Sequence, residues 1–151
     1  MAATAFEISG LSPGTVTGTC ELFEGASALG QAEVPTVGSG FASNNLLQAD
    51  QDLIVRVIWN SIPPDAGFLL GGTWRLEVVA EQVGGGVATQ SIPPVVPVVG
   101  ALQRDLIFPT PTLAVGYHRI IMSMQWFDFA GNPGPLAGFV DLGVIKVYQE
   151  P

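Results

Sequence analysis

Residues 73–83, which read TWRLEVVAEQV, decide the fold class of this chain. Apolar residues occupy every second position and mostly polar residues lie between them: Trp74, Leu76, Val78 and Ala80 alternate with Arg75, Glu77, Val79 and Glu81. Successive side chains of a β-strand point to opposite faces of the sheet, so this period of two predicts a strand with one face in the core and one in water. No window of useful length holds a 3.6-residue period, although residues 44–51 could form one helical turn.

A second run, residues 52–60, shows the same alternation. Leu53, Val55, Val57 and Trp59 share one face, while Arg56 lies among Ile54 and Ile58 on the other. Nineteen glycines and twelve prolines divide the chain into about nine such runs, at a spacing typical of sandwiches and barrels. We place strands at 4–9, 15–24, 30–37, 52–60, 73–83, 87–92, 103–108, 117–128 and 138–148. The sequence therefore predicts one domain over residues 1–151, an all-β antiparallel sandwich of about nine strands.

The chain has few charged residues for a folded domain. Only 12% of its residues are charged and 48% are apolar, against a usual charged share of about 25%. Because a folded domain exposes an area roughly fixed by its mass, glycine, proline, serine, threonine and exposed apolar groups must fill much of this surface. A surface of that kind tends to associate.

The charges that are present are mostly acidic. Thirteen acidic residues face four arginines and Lys146, which gives a formal net charge of −8 and leaves no basic patch for a phosphate backbone. We therefore expect neither nucleic acid nor an anionic membrane surface as a partner. Membrane insertion is not expected either, because the most apolar run, residues 92–102, contains three prolines and is shorter than the roughly 20 residues that span a bilayer.

The first ten residues do not predict a secretory signal. They contain an early Glu7, no basic residue and no apolar segment of sufficient length. We expect cytoplasmic synthesis, with incorporation into a larger particle as an option, and the final location stays unknown. Cys20 is the only cysteine, which excludes an internal disulfide and every multi-cysteine metal motif.

Two segments share the pattern L-x-x-G-x-(aromatic)-R-(apolar)-x-(apolar). They begin at Leu69 and Leu113, and they place Trp74 and His118 at the aromatic position. The pattern resembles the tyrosine corner that opens strand F in immunoglobulin-like and fibronectin-III-like sandwiches. Residues 128–132, DFAGN, are similar to the D-x-A-G-N hairpin that follows this strand in bacterial immunoglobulin-like repeats. The resemblance implies an immunoglobulin-like sandwich, with Trp74 and His118 in place of the corner tyrosine.

Cys20 and His118 are the residues that most invite a catalytic interpretation. The corner position of His118, the only histidine, predicts a structural hydrogen bond instead. Cys20 alternates with apolar neighbours and is expected to be a small buried residue, and Ile120 stands where the family's partner cysteine would be. A dyad of the two would need both side chains in one accessible cleft, whereas the strand pattern buries at least one of them.

Acidic residues near turns are candidate calcium ligands. Asp50 and Asp52 precede a strand and Asp65 could join them from a loop, but their spacing matches no dense calcium loop. Solvated turn carboxylates are the simpler explanation. We therefore predict no cofactor, no metal site, no catalytic residue and no enzymatic activity.

The last two long runs carry more apolar surface than one core can use. In residues 117–128 one face supplies a full core row, and residues 138–148 are apolar on both faces. A sandwich of two sheets buries only one face of each sheet. The predicted partner-binding residues on the surplus face are Tyr117, Ile121, Phe127, Phe139, Ile145 and Val147. The competing explanation is that a loop of the same chain covers this face.

These observations favour a non-catalytic structural or assembly module that packs against copies of itself or other protein subunits. The alternative is an extracellular or surface module that binds a glycan or peptide through loops 41–51, 60–72 and 131–138, with Trp59 and Trp126 as stacking faces. A hydrolase that uses the scattered acids ranks third, because no nucleophile, base and orienting group can be placed together.

Overall fold

Two β-sheets packed face to face make up the described part of this protein. The structure is a computed structural model, and it describes residues 4–8, 15–25, 46–62, 69–109 and 112–149. The described residues form nine strands: β1 (Thr4–Glu7), β2 (Val16–Gly25), β3 (Leu46–Gln48), β4 (Asp52–Ser61), β5 (Thr73–Gln82), β6 (Val87–Ser91), β7 (Gly100–Phe108), β8 (Gly116–Phe127) and β9 (Pro133–Tyr148). The predicted all-β sandwich is confirmed. In these ranges no helix is long and apolar enough to cross a membrane.

The strand order is β1-β2-β4-β7 in the first sheet and β3-β9-β8-β5-β6 in the second. All neighbours are antiparallel except β3 and β9, which run parallel with Leu46 opposite Lys146. The sandwich is antiparallel as predicted, apart from this one parallel pair at the edge of the second sheet. Residues 46–48 form a strand where the sequence also allowed a helical turn. The predicted strand at 30–37 lies outside the described residues.

The alternating rows of the sequence become the core between the sheets. In β5 the inward row is at most 1% exposed, and the inward row of β4 lines the same core from the first sheet. These rows are Trp74, Leu76, Val78 and Ala80 in β5 and Leu53, Val55, Val57 and Trp59 in β4. Full burial of one large apolar side chain contributes roughly 1.5–3 kcal/mol, so these rows supply much of the driving force for folding.

A β-bulge in β9 changes which of its side chains point inward. Ile120 pairs with Gly143 and Ile121 pairs with Asp141, so Leu142 is an extra residue without a partner of its own on β8. Gly143 has a φ of 89°, a conformation that glycine adopts without strain. Beyond the bulge the inward positions therefore change from even-numbered to odd-numbered residues.

The bulge corrects two of the predicted partner-binding residues. Ile145 and Val147 are fully buried in the core, so their assignment to one face with Phe139 is wrong. That assignment rested on an uninterrupted period of two along residues 138–148, which does not allow for the extra residue. The core contains apolar side chains of β9 from both sides of the bulge. Much of the apolar surface that the sequence predicted to be in excess on β9 is therefore buried.

Candidate partner-binding face

One face of the second sheet lines the core, and the other, here called the outer face, points away from it. The members of the outer face on β5, β8 and β9 include Thr73, Arg75, Glu77, Val79, Glu81, Tyr117, Arg119, Ile121, Ser123, Gln125, Phe127, Ala137, Phe139, Asp141, Val144 and Lys146. The strand register places Ile121 between Val79 and Asp141. In the next row, Ser123 lies between Glu77 and Phe139. The centre of the face is thus a mixture of apolar and polar groups.

Four of the six predicted partner-binding residues lie on the outer face. Phe139 is 74% exposed and Tyr117 is 53% exposed, while Ile121 and Phe127 are partly buried. Val144 is exposed on the same face, although the sequence pattern predicted it on the opposite side of β9. Its position follows from the bulge at Gly143, which turns Val144 outward.

Basic side chains lie against two of the aromatic rings. Arg75 Cζ is 3.9 Å from the centroid of the Phe127 ring, and Lys146 Nζ is 5.7 Å from that of Tyr117. Contacts of this kind contribute about 0.5–1 kcal/mol at exposed sites. Within the described ranges no basic side chain stacks on Phe139. Its ring is therefore the largest uncovered apolar group of the outer face.

The charges of the outer face balance one another. Its basic members are Arg75, Arg119 and Lys146, and its acidic members are Glu77, Glu81 and Asp141. Arg119 Nε and Asp141 Oδ2 are 3.8 Å apart, and an exposed pair of this kind contributes about 0–1 kcal/mol. The net charge of −8 therefore resides on the rest of the chain. Local charge repulsion between two copies is therefore small where their outer faces meet.

The hairpin between β8 and β9 presents an aromatic residue that sequence reasoning missed. Asp128 Oδ1 accepts hydrogen bonds from the amides of Ala130 at 3.0 Å and Asn132 at 2.9 Å, and Gly131 adopts a φ of 83°. This network fixes the turn, while Phe129 at its tip is 91% exposed. The sequence feature that could have indicated it is an aromatic residue within the DFAGN turn, where the turn geometry does not require an aromatic ring.

His118 and Cys20 are both placed in the core. His118 is 3% exposed, and its Nε2–H donates to the carbonyl oxygen of Ala114 over 2.7 Å. The structural hydrogen bond predicted for the corner is present. Cys20 is fully buried on the first sheet, whereas His118 belongs to the second. The sequence predicted that at least one of these two side chains is buried, and both are.

The acidic candidates do not form a cluster in the described part of the chain. Asp52 is buried at the start of β4, Asp50 is exposed in the preceding turn, and Asp65 lies outside the described residues. Over the described ranges no three histidine, cysteine, aspartate or glutamate side chains come together as a metal site.

The two tryptophans proposed as stacking faces are core residues. Trp59 is 1% exposed and Trp126 is 6% exposed. Trp126 Nε1 donates to the carbonyl oxygen of Leu69 at 3.0 Å, which ties β8 to the turn before β5. The prediction that these rings stack on a ligand is wrong, because alternation places both of them in inward rows.

Burial raises the pKa of the Cys20 thiol to about 12. The unfolded thiol ionises near its ordinary value of about 8.5, so folding keeps the thiol neutral over a window in which the unfolded chain releases its proton. This contribution to stability is complete below the ordinary value and is lost progressively as pH rises toward 12. Between about pH 8 and pH 11 we expect the free energy of unfolding to fall by about 3 kcal/mol more in the wild type than in Cys20→Ala.

Urea titrations of both proteins at the two pH values measure this difference. The Cys20→Ala variant is the control, because the two proteins differ only at this side chain. Equal losses of stability in the two proteins would contradict the prediction.

The sequence matches no protein-family model, and no curated protein is significantly similar to it.

Proposed function

We propose that this protein is a non-catalytic structural or assembly module, which packs through its outer face against copies of itself or other protein subunits. The observation that carries the proposal is the 74% exposure of Phe139 within a charge-balanced face. Burying a phenylalanine side chain contributes roughly 1.5–3 kcal/mol, and aromatic residues are enriched at interface cores. Tyr117 and Val144 extend the apolar area around β9.

Electrostatics supports the outer face over other surfaces. Association of a chain with a net charge of −8 is opposed by repulsion unless the contacting surfaces are locally neutral. The Arg119–Asp141 pair could exchange partners with a second copy, because both side chains are about half exposed. An exchange of that kind is typical of two-fold interfaces, in which the same residues face each other from both subunits.

We also infer an immunoglobulin-like character for the sandwich. The hydrogen bond from His118 to Ala114 at the corner supports this inference, as does the turn held by Asp128 after β8. Sandwiches of this kind have many unrelated functions, so this inference adds little to the choice of function. The glycan or peptide alternative is weaker, because Trp59 and Trp126 are buried.

Self-association should depend on Phe139. We expect the wild type to form a stable oligomer, and Phe139→Ser to weaken association about tenfold or more, which corresponds to a loss of about 1.4 kcal/mol. Size-exclusion chromatography with light scattering and sedimentation velocity over a concentration series measure both quantities.

The matched control is Ile62→Ser, which removes a 44% exposed apolar side chain that follows β4 in the first sheet, away from the outer face of the second sheet. It should leave association unchanged. A wild type that stays monomeric at the highest concentration, or equal effects of the two substitutions, would overturn the self-assembly proposal.

A further inference from the structure

We propose that the free edge of β7 binds an extended peptide segment of a partner protein, with apolar residues at alternate positions and one acidic residue opposite Arg104. The site belongs to the first sheet, so it is separate from the outer face of the second sheet. Binding would add a strand to an existing sheet, with backbone hydrogen bonds providing affinity and side-chain contacts providing selectivity.

The site is a groove at the side of the sandwich. In the described part of the chain β7 pairs only with β4, so its other edge carries unpaired backbone groups. A cavity of about 680 Å³ lies between β7 and the segment that joins β6 to β7, residues 92–99, here called the strap. Its volume falls within the range of about 300–1,000 Å³ that is usual for ligand pockets.

The strap forms a wall of the groove but does not pair with β7. Pro93, Pro94 and Pro97 have no backbone N–H and cannot donate to a neighbouring strand. Val95 pairs in the other direction, exchanging hydrogen bonds of 2.8 and 2.9 Å with Trp74 on the second sheet. The strap is thus held to β5, and none of the described residues pairs with the other edge of β7.

The groove offers an apolar contact surface. Val96 is 67% exposed and Val98 is 39% exposed on the strap, and Leu102 of β7 is only partly buried at the opening of the core. A strand added to β7 would present every second side chain toward this surface, because side chains alternate between the two faces of a sheet. Apolar residues at those alternate positions would cover it.

Arg104 sets the charge preference of the groove. It shares the inward side of β7 with Leu102 and is exposed at the groove, where its Nη1 donates to the Gln103 carbonyl oxygen at 2.7 Å. The neighbouring Asp105 is already engaged in two hydrogen bonds with Arg56. Arg104 is therefore a guanidinium that contacts a carbonyl but no carboxylate in the described residues.

A second copy of β7 is a poor occupant of this edge. Two-fold antiparallel pairing centred near Arg104 would bring like charges together across the new strand pair, which is destabilising. An inward-pointing charge on an edge strand is also a known device against edge-to-edge association. An acidic side chain from a different protein turns the same arginine into an attractive contact.

Two synthetic peptides test the proposal by fluorescence anisotropy with the full chain. In the first peptide threonine and valine alternate, and one central valine is replaced by glutamate. The second peptide is identical except that lysine replaces that glutamate. We expect the glutamate peptide to bind roughly tenfold more tightly, since it gains an opposite-charge cross-strand pair where the lysine peptide suffers a like-charge pair. Arg104→Glu should reverse the order, and Phe139→Ser should leave it unchanged.

The position of binding is checked by NMR, with shifts expected for the amides of β7 and the strap. Failure of both peptides to bind at millimolar concentration would overturn the proposal. It would also be overturned by equal affinities, by an order unaffected by Arg104→Glu, or by shifts confined to the outer face. None of these results bears on self-association, so failure here is distinguishable from failure of the assembly proposal.

Discussion

Replacing Arg56 by methionine should lower the free energy of unfolding by about 3–5 kcal/mol, among the largest effects of any single substitution in this chain. Arg56 Nε and Nη2 donate to the two carboxylate oxygens of Asp105, each over 2.9 Å. The Asp105 side chain is only 2% exposed and that of Arg56 12%. The hydrogen bond to Asp105 also raises the pKa of Arg56. Without the guanidinium, the carboxylate would remain buried and uncompensated.

The double variant Arg56→Met with Asp105→Leu should recover most of this loss, because it removes both charges and leaves an apolar pair of similar volume. Arg119→Met is the matched control. It breaks the exposed pair with Asp141, and should cost no more than about 1 kcal/mol. Guanidinium chloride titrations measure all three variants. Equal costs for Arg56→Met and Arg119→Met would show that burial does not decide the strength of these pairs.

Gly72→Ala should destabilise the protein by about 3 kcal/mol, near the upper end of the usual range for overpacking. A Cβ atom on Gly72 would overlap the carbonyl oxygen of Phe127 and lie 2.6 Å from two ring carbons of Trp126. The first contact is with backbone of β8, which cannot move away without disturbing its pairing with β5. The hydrogen bond from Trp126 to Leu69 limits relaxation from the other side.

The adjacent Gly71→Ala provides the control. A Cβ atom there would meet nothing within 4 Å, so the expected change is within about 0.5 kcal/mol of zero. Thermal unfolding followed by circular dichroism, together with chemical denaturation, compares the two variants. Similar stabilities of Gly71→Ala and Gly72→Ala would mean that the turn before β5 adapts to the extra atom, contrary to the expectation.

The alternation of residue types was sufficient to predict the long strands, and it failed at the short strand β3 and where the backbone departs from a regular strand. The rows around Trp74 and Val57 lie in the core as expected, because inward positions follow directly from a period of two. At Gly143 one extra residue moves Ile145 inward and Val144 outward. A glycine within a strand pattern is a sign of such a bulge, but the position of the slip depends on pairing with β8.

The candidate face was predicted only in part for the same reason. Phe139 precedes the bulge on β9, and Tyr117 lies on the neighbouring strand β8. The period of two therefore holds at both positions, and both residues are exposed as the pattern indicates. The charge balance of the face could not be predicted, because it depends on which residues of three strands lie side by side. The cations over Phe127 and Tyr117 likewise come from neighbouring strands.

The parallel pairing of β3 with β9 sets the order in which the chain can acquire its structure. Leu46 pairs with Lys146, so two segments about a hundred positions apart must find each other. Closing so long a loop costs entropy that local hairpins such as β5–β6 do not lose. On the ribosome, the antiparallel hairpins can form while β9 is still being synthesised, and β3 must wait for it. During that interval the second sheet of the nascent chain lacks its β3–β9 edge, and the strand groups that will form it are unpaired. A chaperone would be most useful at this stage, because unpaired strand edges promote aggregation.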